Sequence, residues 1–303
     1  MDNGPRGAPR VVTILGIALA AALAWVLVST LWLWRNQERV VFQPPGVDAD
    51  APHPARRVQF LAADGHPLFG YVLSPSEGGP SAGKTLVIAF HGNADLAAWL
   101  APWARELADR AGVTVFLPEY RGYAGIPGTP TYESAAADAR GALAFARSEL
   151  KPSRIALFGH SLGTAVAADL AEIMDGPCAA LVLQSPFTSA REMAARMLVP
   201  PVPWLWRTIS RVHYDTRERV AALECPVWVA HGTRDVVIPV RMGRQVFAAA
   251  RRHGELLIVE GAGHNDVAEL GGESYWRWLA SAVRGPESST VGELEKERHG
   301  RLP

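Results

Sequence analysis

The two cysteines in 303 residues, at 178 and 225, make neither a disulfide framework nor a metal-binding spacing. Each begins an apolar run, so Cys178 and Cys225 read as small buried hydrophobes rather than as a bonded pair. Lysine stands only at 84, 151 and 296, and Lys+Arg equals Asp+Glu at 30 each. No basic stripe is left to hold a nucleic acid, which sets that class of partner aside. With 49% hydrophobic against 20% charged residues, the chain is not mainly disordered and can bury one large core. Arginine in place of lysine, with abundant alanine, points to a GC-rich bacterial source.

Charge is missing altogether from residues 11–34, between Arg10 and Arg35. As a helix these residues span about 36 Å, more than the roughly 30 Å of a hydrocarbon layer. Trp32 and Trp34 sit where an interfacial aromatic belt would. The stretch ends in Leu-Trp-Leu-Trp-Arg with no small-x-small cleavage site, which favours an uncleaved single-pass anchor over a signal peptide. Arg6 and Arg10 nearly balance Arg35 and Arg39 across it. The short preceding tail leans towards an amino terminus inside, with the folded part outside the cytoplasm of a bacterial inner membrane.

Behind a tail (1–10) and this anchor (11–34), residues 35–54 read as a linker, with a proline-rich tether over 43–54. The folded part is expected over 55–285. Runs 57–61 and 68–74 flank Ala63-Asp64-Gly65-His66 as a hairpin. Strand-like runs at 85–90, 113–117, 155–158, 180–183, 227–230 and 256–260 then alternate with helix-like stretches at 96–110, 132–150, 162–174, 240–252 and 265–283. That alternation predicts an α/β fold: a mostly parallel eight-stranded sheet with helices on both faces. The one long interruption, 186–223, falls where a short cap over a site would be inserted. Residues 286–303 read as a polar carboxyl-terminal tail.

Ligands bind such a sheet beyond the carboxyl ends of its strands, so the residues after each strand are informative. Gly159-His160-Ser161-Leu162-Gly163 follows an apolar run and precedes a helix rich in small residues. It reads as a nucleophile elbow, a sharp strand-to-helix turn that holds a serine oxygen above the sheet. Acyl transfer also needs a base, a carboxylate to orient that base, and donors for an oxyanion. Ser161 is the expected nucleophile, His264 the base and Asp235 the acid, with Asp266 and Glu260 as substitutes for the acid. The chain order Ser, Asp, His suits this architecture. Oxyanion donors are expected from the backbone N–H groups of Leu162 and Asn93.

His91 and His231 precede glycine at strand ends and read as loop braces, while His160 lies inside the elbow. These histidines come from separate loops without short ligand spacing, so a metal is not expected.

At this point the sequence resembles the α/β-hydrolase-fold serine hydrolases. Phe90-His91-Gly92-Asn93-Ala94, Tyr120-Arg121-Gly122-Tyr123, the elbow, Ser185-Pro186-Phe187-Thr188-Ser189, His231-Gly232-Thr233-Arg234-Asp235 and Gly263-His264-Asn265-Asp266 look like the ABHD-type subgroup, many of whose members carry one amino-terminal anchor. The resemblance runs from about 57 to 283. It implies ester, thioester or occasionally amide hydrolysis through an acyl-enzyme, without a cofactor. Glu119 departs from it, standing where the subgroup usually has aspartate.

The expectation is a membrane-anchored serine hydrolase acting on lipid-like or acylated substrates. An amidase or serine peptidase is the second enzymatic reading, and a catalytically silent binding protein the third. Removing residues 1–42 is expected to leave an active soluble domain, the anchor supplying location and not chemistry. Within the cap, Trp204 and Trp206 are candidate substrate contacts that would guide an acyl chain to Ser161.

Overall fold

The computed structural model describes residues 8–76, 85–197 and 210–284. An amino-terminal helix, α1 (Ala8–Val41), precedes the hairpin of β1 (Arg56–Leu61) and β2 (Pro67–Leu73). There follow β3 (Thr85–Phe90), α2 (Ala101–Ala111), β4 (Thr114–Pro118), α3 (Tyr132–Phe145), β5 (Arg154–His160), α4 (Leu162–Ile173) and β6 (Cys178–Gln184). The chain continues through α5 (Ala190–Met197), α6 (Thr216–Ala222), β7 (Val227–Gly232), α7 (Val240–Ala249), β8 (His253–Val259) and α8 (Val267–Arg284).

All eight strands join one sheet in the order β1-β2-β4-β3-β5-β6-β7-β8, in which β2 alone runs against the rest. Every residue of β3 is buried, as a strand covered on both faces requires. From β3 the chain goes first to β4 on one side and then back to β5 on the other. The carboxyl ends of β3 and β5 therefore flank the point where strand order reverses, which is where such sheets open a crevice.

Local chemistry moved several boundaries. The helix expected from residue 96 opens as a 3-10 turn, Ala97–Leu100, and becomes α-helical only at Ala101. Pro102 has no N–H to give, so it is tolerated only in the first turn. The helix expected to reach 150 ends at Phe145, and residues 146–150 widen into one π turn closed by Lys151 at φ 47°. Cys178 and Cys225 are free, with their thiols side by side, and this contact and burial push the Cys178 thiol up.

The largest difference is in α1. The anchor is expected to end at Trp34, yet the helix continues to Val41. No proline or glycine interrupts 35–41, and the final turns find partners on the folded domain. The Arg211 backbone N–H donates to Gln37 Oε1 at 2.6 Å, and the Tyr132 N–H donates to Glu38 Oε2 at 3.2 Å. Arg211 also donates to the Trp34 carbonyl at 3.1 Å. Leu33 and Phe42 are buried in the main core, each stabilising the junction by about 1.5–3 kcal/mol. Upstream, the apolar side chains from Val11 to Trp32 are mostly exposed, and this helix is long and apolar enough to cross a membrane. The proline-rich stretch follows directly after the helix, with the Pro44-Pro45 pair.

Candidate active site

β5 delivers Ser161 to the crevice on a turn with φ 53° and ψ −115°, a conformation that side-chain-bearing residues avoid. Two glycines make the turn possible. A Cβ on Gly159 would collide with the Gly163 backbone, and one on Gly163 would collide with the Phe90 carbonyl. Strand, helix and the neighbouring β3 therefore meet backbone to backbone, and the serine oxygen is left facing outward.

His264, five residues past β8, lies over this serine with Nε2 2.9 Å from Ser161 Oγ. Its Nδ1 is 2.7 Å from Asp235 Oδ2, on the loop after β7. Asp235 is held in turn by the Val237 and Ile238 N–H groups, which donate to Oδ1 at 2.9 and 2.7 Å. His231 Nε2 stands 3.2 Å from Oδ2 and 2.8 Å from the Ile238 carbonyl. Burial works to raise the Asp235 pKa, but hydrogen bonds from His231 and His264 prevail and hold it well below the usual carboxylate range. The carboxylate is therefore ionised whenever the domain is folded near neutrality.

The substitutes considered for that acid are elsewhere. Asp266 Oδ1 accepts from the Gly263 N–H at 2.6 Å and braces its own loop, while Glu260 is exposed.

His160 supports His264 from behind. Its Nε2 is 3.2 Å from the His264 carbonyl, which also accepts from Ser185 Oγ at 3.4 Å. Burial, together with the nearby His264, lowers the His160 pKa from 6.5 to about 4, so this ring is neutral in the fold. The unfolded chain then takes up the proton first as pH falls. Stability from this group is complete above about pH 6.5 and is lost as pH drops towards 4. His160→Gln keeps a donor and removes the titration, so between pH 7 and 4.5 it should lose about 2 kcal/mol less than wild type in urea unfolding. Parallel losses in the two proteins would show that His160 does not titrate as described.

The opposite side of the serine is formed by loop 91–95 after β3. Leu162 begins α4, so its N–H is one of the helix's unpaired first donors and lies at the positive end of the dipole. Gly92 abuts the elbow closely: a Cβ there would lie 3.3 Å from Ser161 Cβ and 3.2 Å from His160 Nδ1. Next to it, Asn93 Oδ1 accepts from Tyr123 Oη at 3.0 Å and from the Gln43 N–H at 2.7 Å.

Below, the fully buried His91 reaches Glu119 Oε1 at 2.7 Å through Nε2 and the Gly92 carbonyl at 2.8 Å through Nδ1. Burial opposes a charge on this ring, but Glu119 outweighs it and raises the His91 pKa. Two acceptors facing two ring nitrogens suit the imidazolium. Glu119 also accepts from the Ala97 and Tyr120 N–H groups, so the residue that departs from the subgroup is a buried brace.

These loops open on a cavity of about 1060 Å³ that reaches Ser161 and His264. Trp99, Trp103, Phe158 and Phe187 form much of its wall, with Met193 and Met197 from the cap helix α5. Asp95 and Glu269 are the acids on it. Val40, Val41 and Gln43, at the end of α1, complete it. Of the sequence candidates, Ser161, Asp235, His264, Leu162 and Asn93 come together; Trp204 and Trp206 lie outside the described residues, as does the expected tail at 286–303. The contribution of α1 was missed because nothing in the local pattern of residues 40–43 ties them to a serine 118 positions away.

A family model described as "Serine aminopeptidase, S33" matches residues 81–217. The chain is 37% identical over 275 residues to the uncharacterized protein Rv2307c of Mycobacterium tuberculosis, covering 88% of this chain and 92% of that one. It is 33% identical over 194 residues to human alpha/beta hydrolase domain-containing protein 17B, covering 63% and 64%. Among solved structures, the esterase Pf2001 of Pyrococcus furiosus shares the fold at a TM-score of 0.63 and 17% identity, over 80% of this chain and 99% of that one. Similar over 63% of its length to an alpha/beta hydrolase domain-containing protein, and folded on this sheet order, the protein has the α/β-hydrolase fold.

Proposed function

We propose that this chain is a serine hydrolase that cleaves ester or thioester bonds of acylated, lipid-like substrates at a membrane surface to which α1 anchors it. The observation that carries the reading is the relay from Asp235 through His264 to Ser161, with steps of 2.7 and 2.9 Å, at the floor of an apolar cavity. Ser161 Oγ attacks the acyl carbonyl while His264 Nε2 takes its proton. The Leu162 and Asn93 N–H groups stabilise the oxyanion. His264 then gives the proton to the departing alcohol or thiol, and a water activated by the same ring releases the acid and restores Ser161.

At about 1060 Å³ the cavity is at the upper end of pockets that enclose a drug-sized ligand, and its aromatic and methionine wall favours an acyl chain. Each methylene buried contributes about 0.8 kcal/mol, so kcat/KM should climb about tenfold for every two methylenes until the wall is filled. Measured on p-nitrophenyl esters, octanoate should exceed acetate by at least about 100-fold. A preference for acetate would remove the lipid-like substrate from the reading.

A fluorophosphonate probe should label wild type and not Ser161→Ala; an unlabelled wild type would favour a silent binding protein on the same fold. One observation keeps peptidase activity as the second reading, namely the description of the matching family model. An amino terminus in the cavity would meet Asp95 or Glu269. Turnover of aminoacyl p-nitroanilides faster than of octanoate would favour it.

A further inference from the structure

We propose that the end of α1 is a working part of this site: Val40 and Val41 wall the acyl cavity, and the Gln43 N–H holds loop 91–95 against the elbow through the Asn93 side chain. The proposal rests on the hydrolase reading above and extends it from the serine to the segment that leaves the membrane helix.

The contacts form a short chain. Gln37 and Glu38 fix the last turns of α1 to Arg211 and Tyr132, and buried Phe42 fixes the exit from the helix. One residue later the Gln43 N–H donates to Asn93 Oδ1 at 2.7 Å. Asn93 belongs to the loop whose Gly92 packs closely beside Ser161. From below, the same loop is held by His91 on Glu119. It is thus clamped on two sides, and the upper clamp comes from the anchor. An oxyanion donor acts only if it is already in place, and losing one costs on the order of 10²–10³ in kcat. A displacement near 1 Å can cost about 100-fold. Asn93 is then a positioning side chain as well as a backbone donor, and Gln43 acts through it.

This revises the expectation that removing residues 1–42 leaves chemistry untouched. Such a deletion strips Val40, Val41 and Phe42 from the cavity wall and core and frees Gln43 from its tether.

The test uses the full-length protein in detergent micelles, with p-nitrophenyl acetate and decanoate as substrates. Gln43→Pro removes the N–H, Gln43→Ala keeps it, and Asn93→Leu removes its acceptor. Gln43→Pro should give a kcat at least about tenfold below that of Gln43→Ala on both esters, with KM within about twofold between the two variants. The double variant Gln43→Pro with Asn93→Leu should be no worse than Asn93→Leu alone, because Asn93→Leu already removes the acceptor of the Gln43 N–H along with that of Tyr123 Oη. Val40→Ser with Val41→Ser should raise KM for decanoate far more than for acetate. Equal effects of Gln43→Pro and Gln43→Ala, or additive losses in the double variant, would overturn the positioning role. Should Gln43→Pro fail to fold, Asn93→Leu compared with Tyr123→Phe reads the same bond from its other end, since Tyr123→Phe removes only the second donor to Asn93 Oδ1; equal losses in the two would overturn the positioning role. A wild type no faster than Ser161→Ala would defeat the hydrolase reading instead. Amide exchange in residues 91–95 still tests the clamp in that event, since it should quicken in Gln43→Pro and not in Gln43→Ala.

Discussion

Ser161→Ala should lower kcat for p-nitrophenyl octanoate by about 10⁶, with the thermal midpoint within a few degrees of wild type. The size follows from what remains. Without Oγ no acyl-enzyme forms, His264 has no proton to take, and only substrate binding and the oxyanion donors still act. The fold should tolerate the change, because the hydroxyl faces the crevice and its removal opens no cavity in the core. Ser161 is also held at φ 53°, a strain that alanine feels equally, so the elbow keeps its shape. Residual activity within tenfold of wild type, in a folded protein, would place the nucleophile elsewhere.

Asp235→Asn should cost about 10⁴ in kcat. The structure supplies the reason. Two backbone donors, from Val237 and Ile238, converge on Oδ1, so an asparagine must keep its oxygen there and turn its NH₂ towards His264. A donor facing Nδ1 forces the ring proton onto Nε2, the nitrogen that must accept from Ser161. The ring is then in the wrong tautomer although every atom is nearly in place. Asp266→Asn should stay within about tenfold, since Asp266 holds the Gly263 N–H and not the ring. A greater loss in Asp266→Asn than in Asp235→Asn, measured under the same conditions, would reverse the assignment of the acid.

Much of this was legible before any coordinates. The apolar runs and their alternation mark the sheet, because strands covered on both faces must be apolar throughout. The elbow was legible for a stricter reason: with Gly159 and Gly163 pressed against backbone, no other residue fits at either place. Asp235 and His264 follow from chain order, each standing just after a strand. Boundaries were less legible where a single residue decides them, as Pro102 does for α2. The role of Glu119 was hidden because its meaning depends on His91, 28 positions earlier, across two parallel strands.

The end of α1 could not be read at all. Residues 35–43 look like the polar margin of an apolar stretch, and only the folded domain supplies Arg211, Tyr132 and Asn93 to meet them. A helix that docks by its final turns carries no local sign of it, since polar residues after an apolar run serve equally well in water.

The continuity of α1 also sets a height. A helix advances about 1.5 Å per residue, so the seven steps from Trp34 to Val41 raise the chain by about 10 Å and no more. On the membrane reading proposed above, with the bilayer surface at Trp34, the docked end of α1 would hold its part of the cavity wall at a fixed level near the headgroups, like a blade set on a stiff post. On that reading, bonds close to the membrane surface would come within reach more readily than those carried far out on a bulky soluble domain. Lengthening the post by a single residue would lift that level by about 1.5 Å and also swing the cavity by about 100° about the helix axis.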